Sequence, residues 1–366
     1  MKEEKIQFLH IMINDKFIKE YIVFLENNFI IKNHNFLIID GVLDEKYPIL
    51  DRNYIKICKV KKTNNKFLKI LYILKILLFQ LKVCSNLKAD KIFYHGISEK
   101  GSILFLFLFK KYLSKSYWGI WGGDLYCYLL RKNNKILHNI YYRIENYVKG
   151  NFKGYITQVK GDYELAKKYY KAKGKYYDSF VLPSNMYHEI QLLPLKLSDE
   201  LCVQIGNSAI ESNNHFEILE KLKKYKNNNI KLYCPLSYGN KKYAEEVIKV
   251  GKEIFKEKFI PILEYLEYSN YLKFLSNIDI AIFAHDIQHA VGNITSLLGM
   301  KKTIYLKEKV TTYEMLKELG IKVKSFDKFN DLEVLEDKIL EKNKKIIKER
   351  FSKERLIKDL EKLFYD

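Results

Sequence analysis

The stretch Val203–His215 reads VQIGNSAIESNNH and joins the three features that decide the fold, a buried strand, a glycine turn and a helix start. The apolar run 201–205 predicts the strand, Gly206 ends it, and Ser212 or Asn213 is placed to cap the helix. Backbone N–H groups at such a helix start attract anions, most often phosphate. The pattern predicts either a phosphate site or an ordinary turn between a strand and a helix.

The alternation of strand and helix continues on both sides of this stretch. The predicted strands are 6–13, 34–39, 54–60, 91–94, one ending before Gly122, 155–158, 180–182, 201–205, 230–234, 259–263, 278–284 and 303–306. The predicted helices include 16–27, 66–82, 162–171, 213–224, 241–256, 269–275, one from about Asn293 and two at the C-terminus. This rhythm favours doubly wound α/β domains with parallel sheets.

A length of 366 residues fits two domains better than one. We expect a Rossmann-like N-terminal domain at 1–183 and a linker at 184–199. A second Rossmann-like domain follows at 200–345, and a helix at 346–366 is expected to pack back on the first domain. The two domains are expected to face each other across a cleft.

Composition limits the class of protein. A hydrophobic fraction of 48% excludes global disorder, and 30% charged residues exclude a polytopic membrane protein. The net charge of +20 favours phosphate-bearing partners such as nucleotides, anionic lipid or nucleic acid, although a general bias toward lysine accounts for part of it. Five cysteines without CxxC spacing, and an N-terminus without a leader pattern, predict reduced thiols in a cytoplasmic protein.

Two residues of the first half are acid–base candidates, because each follows a predicted strand where ligands of open α/β sheets bind. His95 comes at the end of one strand, and Asp124 follows the pair Gly122–Gly123 after the next. A base that works near neutral pH is usually a histidine or a carboxylate. The alternatives are that His95 forms a hydrogen bond within a turn and that Asp124 caps a helix starting at Leu125.

Three strand ends of the second half are expected to converge. They carry Gly206, Asn207 and Ser208 on the first, Ser237 and Tyr238 on the second, and Gln288, Gly292 and Asn293 on the third. Asn293 is placed to cap a helix, which would set a second helix dipole beside the Gly206 turn and suit a diphosphate. His285, Asp286 and His289 have metal-like spacing only if the segment is helical, so we predict no metal site.

The segment 66–82 combines a strongly apolar helix with Lys69, Lys75 and Lys82. Its apolar run is too short and interrupted to cross a bilayer. It is suited to lie on an anionic membrane surface, or to be a core helix whose lysines reach solvent.

Several segments together resemble glycosyltransferase family 56, the bacterial N-acetylfucosamine transferases that act on lipid-linked sugar in enterobacterial common antigen synthesis. They occur in the same order over about residues 90 to 305. The segments are YHG at 94–96, WGGDLY at 121–126, IGNS at 205–208 with SNNH at 212–215, LEY at 266–268, and FA at 283–284 with Gln288 and Gly292.

The resemblance implies a GT-B fold and an inverting, metal-independent transfer without a cofactor. The implied donor is a dTDP-sugar, and the implied acceptor is a polyprenyl-diphosphate-linked saccharide at the cytoplasmic face of the inner membrane. It implies Asp124 or His95 as the base, the turns around Gly206 and Gly292 as the diphosphate cradle, and Glu267 for the ribose or the donor sugar.

Other interpretations stay open or are excluded. The family's third segment is rich in glycine, whereas this chain has His289-Ala290-Val291 before Gly292, a change of the pocket that bears on which donor sugar is bound. The alternatives are a GT-B transferase that uses a UDP-sugar for another cell-surface glycan and a non-catalytic nucleotide- or phosphate-binding α/β protein. A dehydrogenase would need a GxGxxG after a strand, and a nucleic-acid-binding protein a basic recognition helix or a ribonucleoprotein motif. Neither pattern occurs.

Overall fold

The structure, a computed structural model, describes residues 6–43, 47–61, 63–131, 136–189, 200–264 and 266–366. The chain divides into two compact units. Unit 1 comprises Met1–Ser184 and Leu356–Asp366, and unit 2 comprises Asn185–Arg355. Most of the predicted linker, 190–199, lies outside the described residues.

Unit 1 is built on a parallel sheet of seven strands with the order β3-β2-β1-β4-β5-β6-β7. The strands are β1 Phe8–Ile13, β2 His34–Asp40, β3 Ile55–Lys59, β4 Lys91–His95, β5 Ser116–Gly119, β6 Gly154–Ile156 and β7 Lys175–Tyr177. The helices are α1 Ile18–Asn28, α2 Lys66–Leu87, α3 Lys100–Leu108, α4 Lys110–Leu113, α5 Ile136–Gly150 and α6 Lys160–Tyr170.

Unit 2 is built on a parallel sheet of six strands with the order β10-β9-β8-β11-β12-β13. The strands are β8 Leu201–Ile205, β9 Ile230–Pro235, β10 Phe259–Ile262, β11 Ile280–Phe283, β12 Thr303–Leu306 and β13 Lys324–Ser325. The helices are α7 His215–Leu222, α8 Lys241–Phe255, α9 Tyr268–Ser276, α10 Val291–Gly299, α11 Thr311–Glu318 and α12 Asp337–Arg350. The last helix of the chain, α13 Lys353–Tyr365, belongs to unit 1 from Leu356 onward.

Apolar strands explain both sheets, because strands covered on both faces read as continuous hydrophobic runs. Val203, Ile205, Ile280 and Ile282 are fully buried in the core of unit 2. In unit 1 the ring of Phe364, from α13, packs at 5.0 Å on that of Phe8. The five cysteines are free thiols, and all but the partly buried Cys127 are buried.

The predicted doubly wound α/β class is confirmed, and one predicted strand is wrong. The strand predicted at 180–182 is instead β7, Lys175–Tyr177, which pairs with β6. Val181 has a φ of +44°, which is incompatible with a strand, and Phe180 and Val181 are buried outside the sheet while Leu182 is partly exposed. The sequence reading also omitted α11 and β13.

Each sheet has a switch point, where the chain stops adding strands on one side and begins on the other. In unit 1 it lies between β1 and β4, and in unit 2 between β8 and β11. Ligands of open α/β sheets bind at the carboxyl ends of the strands beside such a point. His95 ends β4 and Gly206 follows β8. The acid–base candidate and the predicted anion-binding turn therefore each lie at a switch point.

The basic helix α2 has an unusual surface. Its second half buries Ile76, Leu77 and Val83, whereas in its first half Phe67 and Ile70 are 67% and 56% exposed. The interpretation as a core helix is therefore wrong for its first half. In the part of the chain that the structure describes, no helix has both the length and the apolarity to cross a membrane.

Candidate functional site

The turn after β8 is closed from both sides by side chains. Gly206 has a φ of +62°, which favours glycine, and a Cβ there would lie 2.3 Å from His215 Nε2 and 2.9 Å from Asn213 Oδ1. The N–H of Asn207 donates to Asn213 Oδ1 at 2.9 Å. Glycine is thus required by backbone conformation and by close packing, and the amide after it already has a partner.

The three strand ends converge, as predicted, in a group that we call the strand-end network: Asn207, Ser208, Asn213, Tyr238 and His285. Asn213 Nδ2 donates to Ser208 Oγ at 3.2 Å, and Asn207 Nδ2 donates to the Tyr238 hydroxyl at 3.2 Å. His285 Nε2 lies 3.1 Å from Asn207 Oδ1 and 2.9 Å from Asn213 Oδ1. Because both partners are amide oxygens, Nε2 carries the hydrogen.

Both predictions of helix caps are wrong. The N-cap of α7 is Asn214 and that of α10 is Ala290, both left-handed and without a capping side chain. Asn213 instead closes the Gly206 turn, and Ser212 Oγ lies 3.2 Å from His289 Nε2. Asn293 lies inside α10.

The two helix starts therefore differ. The first N–H of α7, from His215, donates to the Tyr243 hydroxyl at 3.3 Å. At α10 no side chain of the N-cap covers the first N–H groups, which an α-helix leaves without intrahelical partners. Asn293 Oδ1 accepts a hydrogen bond from the Tyr271 hydroxyl at 2.9 Å. The start of α10 is the better anion site.

The other residues predicted to bind the nucleotide-sugar donor lie on the same edge of the sheet. Ser237 and Gln288 are partly exposed and form no hydrogen bond within the described ranges. Gly292 is in the first turn of α10, where its carbonyl accepts from Thr295 Oγ1 at 3.0 Å. Glu267 is exposed after β10, at the start of α9.

Lys307 is a buried cation of this edge that sequence reasoning missed. It follows β12, and its Nζ lies 2.6 Å from Glu217 Oε2 and 2.9 Å from Asp286 Oδ1. Burial raises the pKa of Asp286, but hydrogen bonds from Asn214, Lys307 and Lys309 outweigh it and lower that pKa to about 2. A lysine directly after a strand was the available signal, but its two acidic partners come from distant segments.

The three residues with metal-like spacing, His285, Asp286 and His289, have partners within the protein. His285 Nε2 is hydrogen-bonded to two amides, Asp286 to lysines, and His289 Nε2 to Ser212. Within the ranges that the structure describes, no three or more His, Cys, Asp and Glu side chains are grouped to hold a metal ion.

At the switch point of unit 1, three buried histidines form what we call the histidine chain: His95, His10 and His34. His10 Nδ1 lies 3.1 Å from His95 Nε2, and His10 Nε2 lies 3.0 Å from His34 Nδ1. The three rings come from the neighbouring strands β4, β1 and β2. Burial lowers the pKa of His95 to about 3 and that of His34 to about 4, so both are neutral at pH 7.

His95 thus bonds to a neighbouring strand, and the alternative of a bond within a turn is wrong. Sequence reasoning missed His10 and His34, because a single histidine in an apolar strand has the pattern of a core residue. Their contact depends on strand order and register.

Asp124 holds two loops together. Its Oδ2 accepts from Ile97 N at 2.9 Å and from Trp118 Nε1, and its Oδ1 accepts from Trp121 N at 3.1 Å. It caps no helix, since the 3₁₀ helix that follows has Leu125 as its N-cap. Asp124 joins the loop after β4 to the loop after β5, and so fixes the segment that follows His95.

Solved structures of similar fold cover nearly the whole chain. A glycosyltransferase from Rickettsia africae aligns with a TM-score of 0.65 at 13% identity, over 98% of each chain. Sucrose-phosphate synthase from Thermosynechococcus elongatus aligns with a TM-score of 0.70 at 7% identity, over 98% of each chain. WaaG, a glycosyltransferase of lipopolysaccharide biosynthesis, aligns with a TM-score of 0.57 at 9% identity, over 96% of this chain and 93% of its own. The fold is the GT-B fold.

The sequence itself matches a family of enzymes. The match is to the family described as 4-alpha-L-fucosyltransferase, glycosyl transferase group 56, and it covers residues 25–349. The protein is therefore a glycosyltransferase. Because the match spans most of the chain, this protein belongs to glycosyl transferase group 56.

Proposed function

We propose that this glycosyltransferase moves a deoxy, acetamido-type sugar, with inversion, from a dTDP-linked donor to a polyprenyl-diphosphate-linked saccharide in bacterial surface polysaccharide synthesis. The observation that carries the proposal is the edge of unit 2, where three strand ends meet beside the uncapped start of α10. Such an edge can hold a nucleoside diphosphate. The choice of the sugar and of the acceptor rests on the resemblance of this chain to glycosyltransferase family 56.

The diphosphate binds at the start of α10. The positive end of its dipole and its free N–H groups favour an anion there. Gly292 keeps the backbone accessible, and Gln288 and Asn293 supply side-chain amides nearby. The Gly206 turn contributes as a fixed wall, because the N–H of Asn207 is held by Asn213. This arrangement stabilises the charge of the leaving diphosphate without a metal ion.

The nucleoside and the donor sugar are held on the β9 and β10 side of the same edge. Glu267 is exposed there, and its carboxylate can accept hydrogen bonds from ribose or sugar hydroxyls. Tyr238 is held by Asn207, and Ser237 is free to donate.

Inversion requires a base that removes the proton of the acceptor hydroxyl. His95 suits this task better than Asp124. All three donors on Asp124 come from the protein itself, and a proton on Oδ2 would displace one of them. His95 is neutral, and its Nδ1 has no hydrogen-bond partner among the described residues. We assign His95 as the base and Asp124 as the residue that fixes its loop.

The acceptor is a lipid, and α2 is suited to the surface that carries it. Exposed Phe67, Leu71 and Leu78 lie on the same helix as exposed Lys69, Lys75 and Lys82. Apolar side chains enter the headgroup region while lysines meet anionic lipid. We propose that α2 binds the anionic inner-membrane surface from the cytoplasmic side.

The first test is calorimetric titration with dTDP and with UDP, each with and without EDTA. Micromolar binding of dTDP that EDTA leaves unchanged is the expected result. Preference for UDP would change the donor, loss of binding in EDTA would refute the metal-independent site, and binding of neither would refute the diphosphate site.

A matched pair of variants locates the nucleotide. Glu267→Gln should weaken dTDP binding by about tenfold, since it removes a charged hydrogen-bond acceptor. Glu264→Gln is the control, because Glu264 is also exposed and lies on the same loop. Equal affinities for the two variants would exclude Glu267 from the site.

Membrane binding is tested by sedimentation with phosphatidylglycerol vesicles. Lys69→Gln, Lys75→Gln and Lys82→Gln together should weaken binding by up to about 100-fold, at about 1 kcal/mol for each lysine. The control changes three exposed lysines of α8, at positions 242, 249 and 252, in the same way. An equal loss in both triple variants would show an effect of net charge alone and refute the role of α2.

A further inference from the structure

The histidine chain is isolated from charge. His10 and His34 are fully buried, and His95 is 5% exposed. The rings around them are aromatic, including Phe36 and Phe93 on His10 and Phe364 on His34. Within the described part of the chain, none of the three histidines is hydrogen-bonded to a carboxylate. The chain therefore differs from the usual arrangement, in which an acid orients a catalytic histidine.

Each contact between two neutral imidazoles holds one hydrogen, so the two hydrogen bonds of the histidine chain can run in either of two directions, which we call the first and the second order. In the first order, His95 Nε2–H donates to His10 Nδ1, and His10 Nε2–H donates to His34 Nδ1. In the second order both bonds are reversed. The nitrogen of His95 outside the chain, Nδ1, is a bare lone pair in the first order and an N–H in the second.

Tyr21 distinguishes the two orders. Its hydroxyl is buried and lies 3.3 Å from His10 Nδ1. Within the described part of the chain this is the one partner of the hydroxyl, and His34 Nε2 is buried without any partner. In the first order the N–H of His95 and the hydroxyl of Tyr21 share the lone pair of His10 Nδ1, at 3.1 and 3.3 Å, and the N–H of His34 lacks an acceptor among the described residues. In the second order the hydroxyl hydrogen of Tyr21 and the lone pair of His34 Nε2 both lack partners. Since each unsatisfied buried donor or acceptor destabilises the structure, the first order is preferred.

We propose that His10 and Tyr21, backed by His34, are positioning residues that hold His95 in the Nε2–H tautomer with the lone pair of Nδ1 free to accept a proton. This inference rests on the proposed function, in which His95 is the base. In the transfer, the acceptor O–H gives its proton to Nδ1 while its oxygen bonds to the anomeric carbon. The bond from that carbon to the diphosphate breaks, and its electron pair leaves with the nucleoside diphosphate. The proton on Nδ1 then passes to solvent.

The tautomer is measured directly by ¹⁵N NMR of the imidazoles, which needs no turnover. The His95 signals, assigned by comparison with His95→Gln, should show a protonated Nε2 and an unprotonated Nδ1 in the wild type. Tyr21→Phe should raise the fraction protonated at Nδ1. A wild-type His95 that is protonated at Nδ1 would overturn the proposal.

Two substitutions of His10 separate positioning from packing. Asn places an amide oxygen near the position of Nδ1, so His10→Asn should keep the tautomer and lower kcat by less than about tenfold. His10→Leu removes the acceptor and should lower kcat by about 100-fold with KM nearly unchanged. Equal losses in the two variants with an unchanged tautomer would overturn the proposal. If Tyr21→Phe and the wild type transfer no sugar while the NMR shows the expected tautomer, the proposed function fails and the tautomer assignment stands.

Discussion

The two switch points place histidines at the ends of parallel strands, but they connect them differently. In unit 1 the histidine chain runs from β4 inward across β1 to β2, and each link joins two ring nitrogens. In unit 2, His285 lies across the strand ends, and its Nε2 is bound by two amide oxygens. The first arrangement leaves Nδ1 of His95 without a partner among the residues that the structure describes, whereas the second fixes His285 as a donor.

The difference separates two kinds of chemistry. A lone pair without a partner among the described residues can accept a proton, and burial weakens His95 as a base because it disfavours the charged form. A network of satisfied amides and hydroxyls suits the binding of a polar ligand, because it is rigid before the ligand arrives. The two arrangements support the proposal that the base lies in unit 1 and that unit 2 binds the nucleotide.

The largest expected effect follows from substitution of His95 in unit 1. His95→Gln keeps an N–H toward His10 but removes the basic nitrogen, so kcat should fall by about 10²–10⁴. Binding of dTDP should not change, since its proposed site lies in unit 2. Sugar transfer and calorimetry on the same preparations measure both.

His138→Gln is the control for this variant, because His138 is an exposed histidine of the same unit. Retained transfer in His95→Gln, combined with loss in Asp124→Asn at unchanged thermal stability, would move the role of base to Asp124.

The second prediction tests how tightly unit 2 is packed. Gly206→Ala should cost about 2–4 kcal/mol, because it adds a contact of 2.3 Å with His215 to the strain of a positive φ. Gly320→Ala provides the matched control. Gly320 has a φ of +74°, but a Cβ there meets nothing within 4 Å, so only the strain of about 1–2 kcal/mol remains. Urea unfolding measures the two costs, and equal values would show that the Gly206 turn is not closed by His215.

Sequence patterns predicted the convergence of the three strand ends of unit 2, and for a clear reason. In a parallel sheet every strand ends at the same side, so the segments after β8, β9 and β11 must meet once the strands are recognised. The strands 201–205 and 303–306 were predicted residue for residue, because continuous apolar runs between polar turns are typical of buried parallel strands.

The details at those strand ends were not predictable, because they depend on distant partners. Asn213 has the pattern of a helix cap, yet its side chain closes the Gly206 turn, where His285 Nε2 also bonds to its oxygen. His10 and His34 are 24 residues apart, and their rings meet only because Phe8 pairs with His34 in the register of β1 and β2. The register of two strands cannot be predicted from the local sequence pattern of either strand.

The smallest expected effect concerns the neutral histidines of unit 1. Burial lowers the pKa of His34 to about 4, whereas the unfolded chain titrates near 6.5. Between these values the unfolded state binds a proton that the native state does not, so the free energy of unfolding falls with decreasing pH by up to about 1.4 kcal/mol per pH unit. His34→Phe should remove this contribution and flatten the dependence from pH 6.5 to pH 4. At pH 7 it should destabilise the fold by about 1–3 kcal/mol, because His10 loses its acceptor.

The rings that face His34 are Phe8, Phe29, Phe364 and its partner His10. Phe364→Leu trims the same surroundings without removing a titrating group, so it should lower stability by a similar amount at every pH and leave the slope unchanged. Denaturant unfolding at half-unit steps of pH distinguishes the two variants. If His34→Phe kept the wild-type slope, His34 would be charged in the native state, and a chain of neutral imidazoles would no longer describe unit 1. The contrast with the amide-bound histidine of unit 2 would then rest on His95 alone.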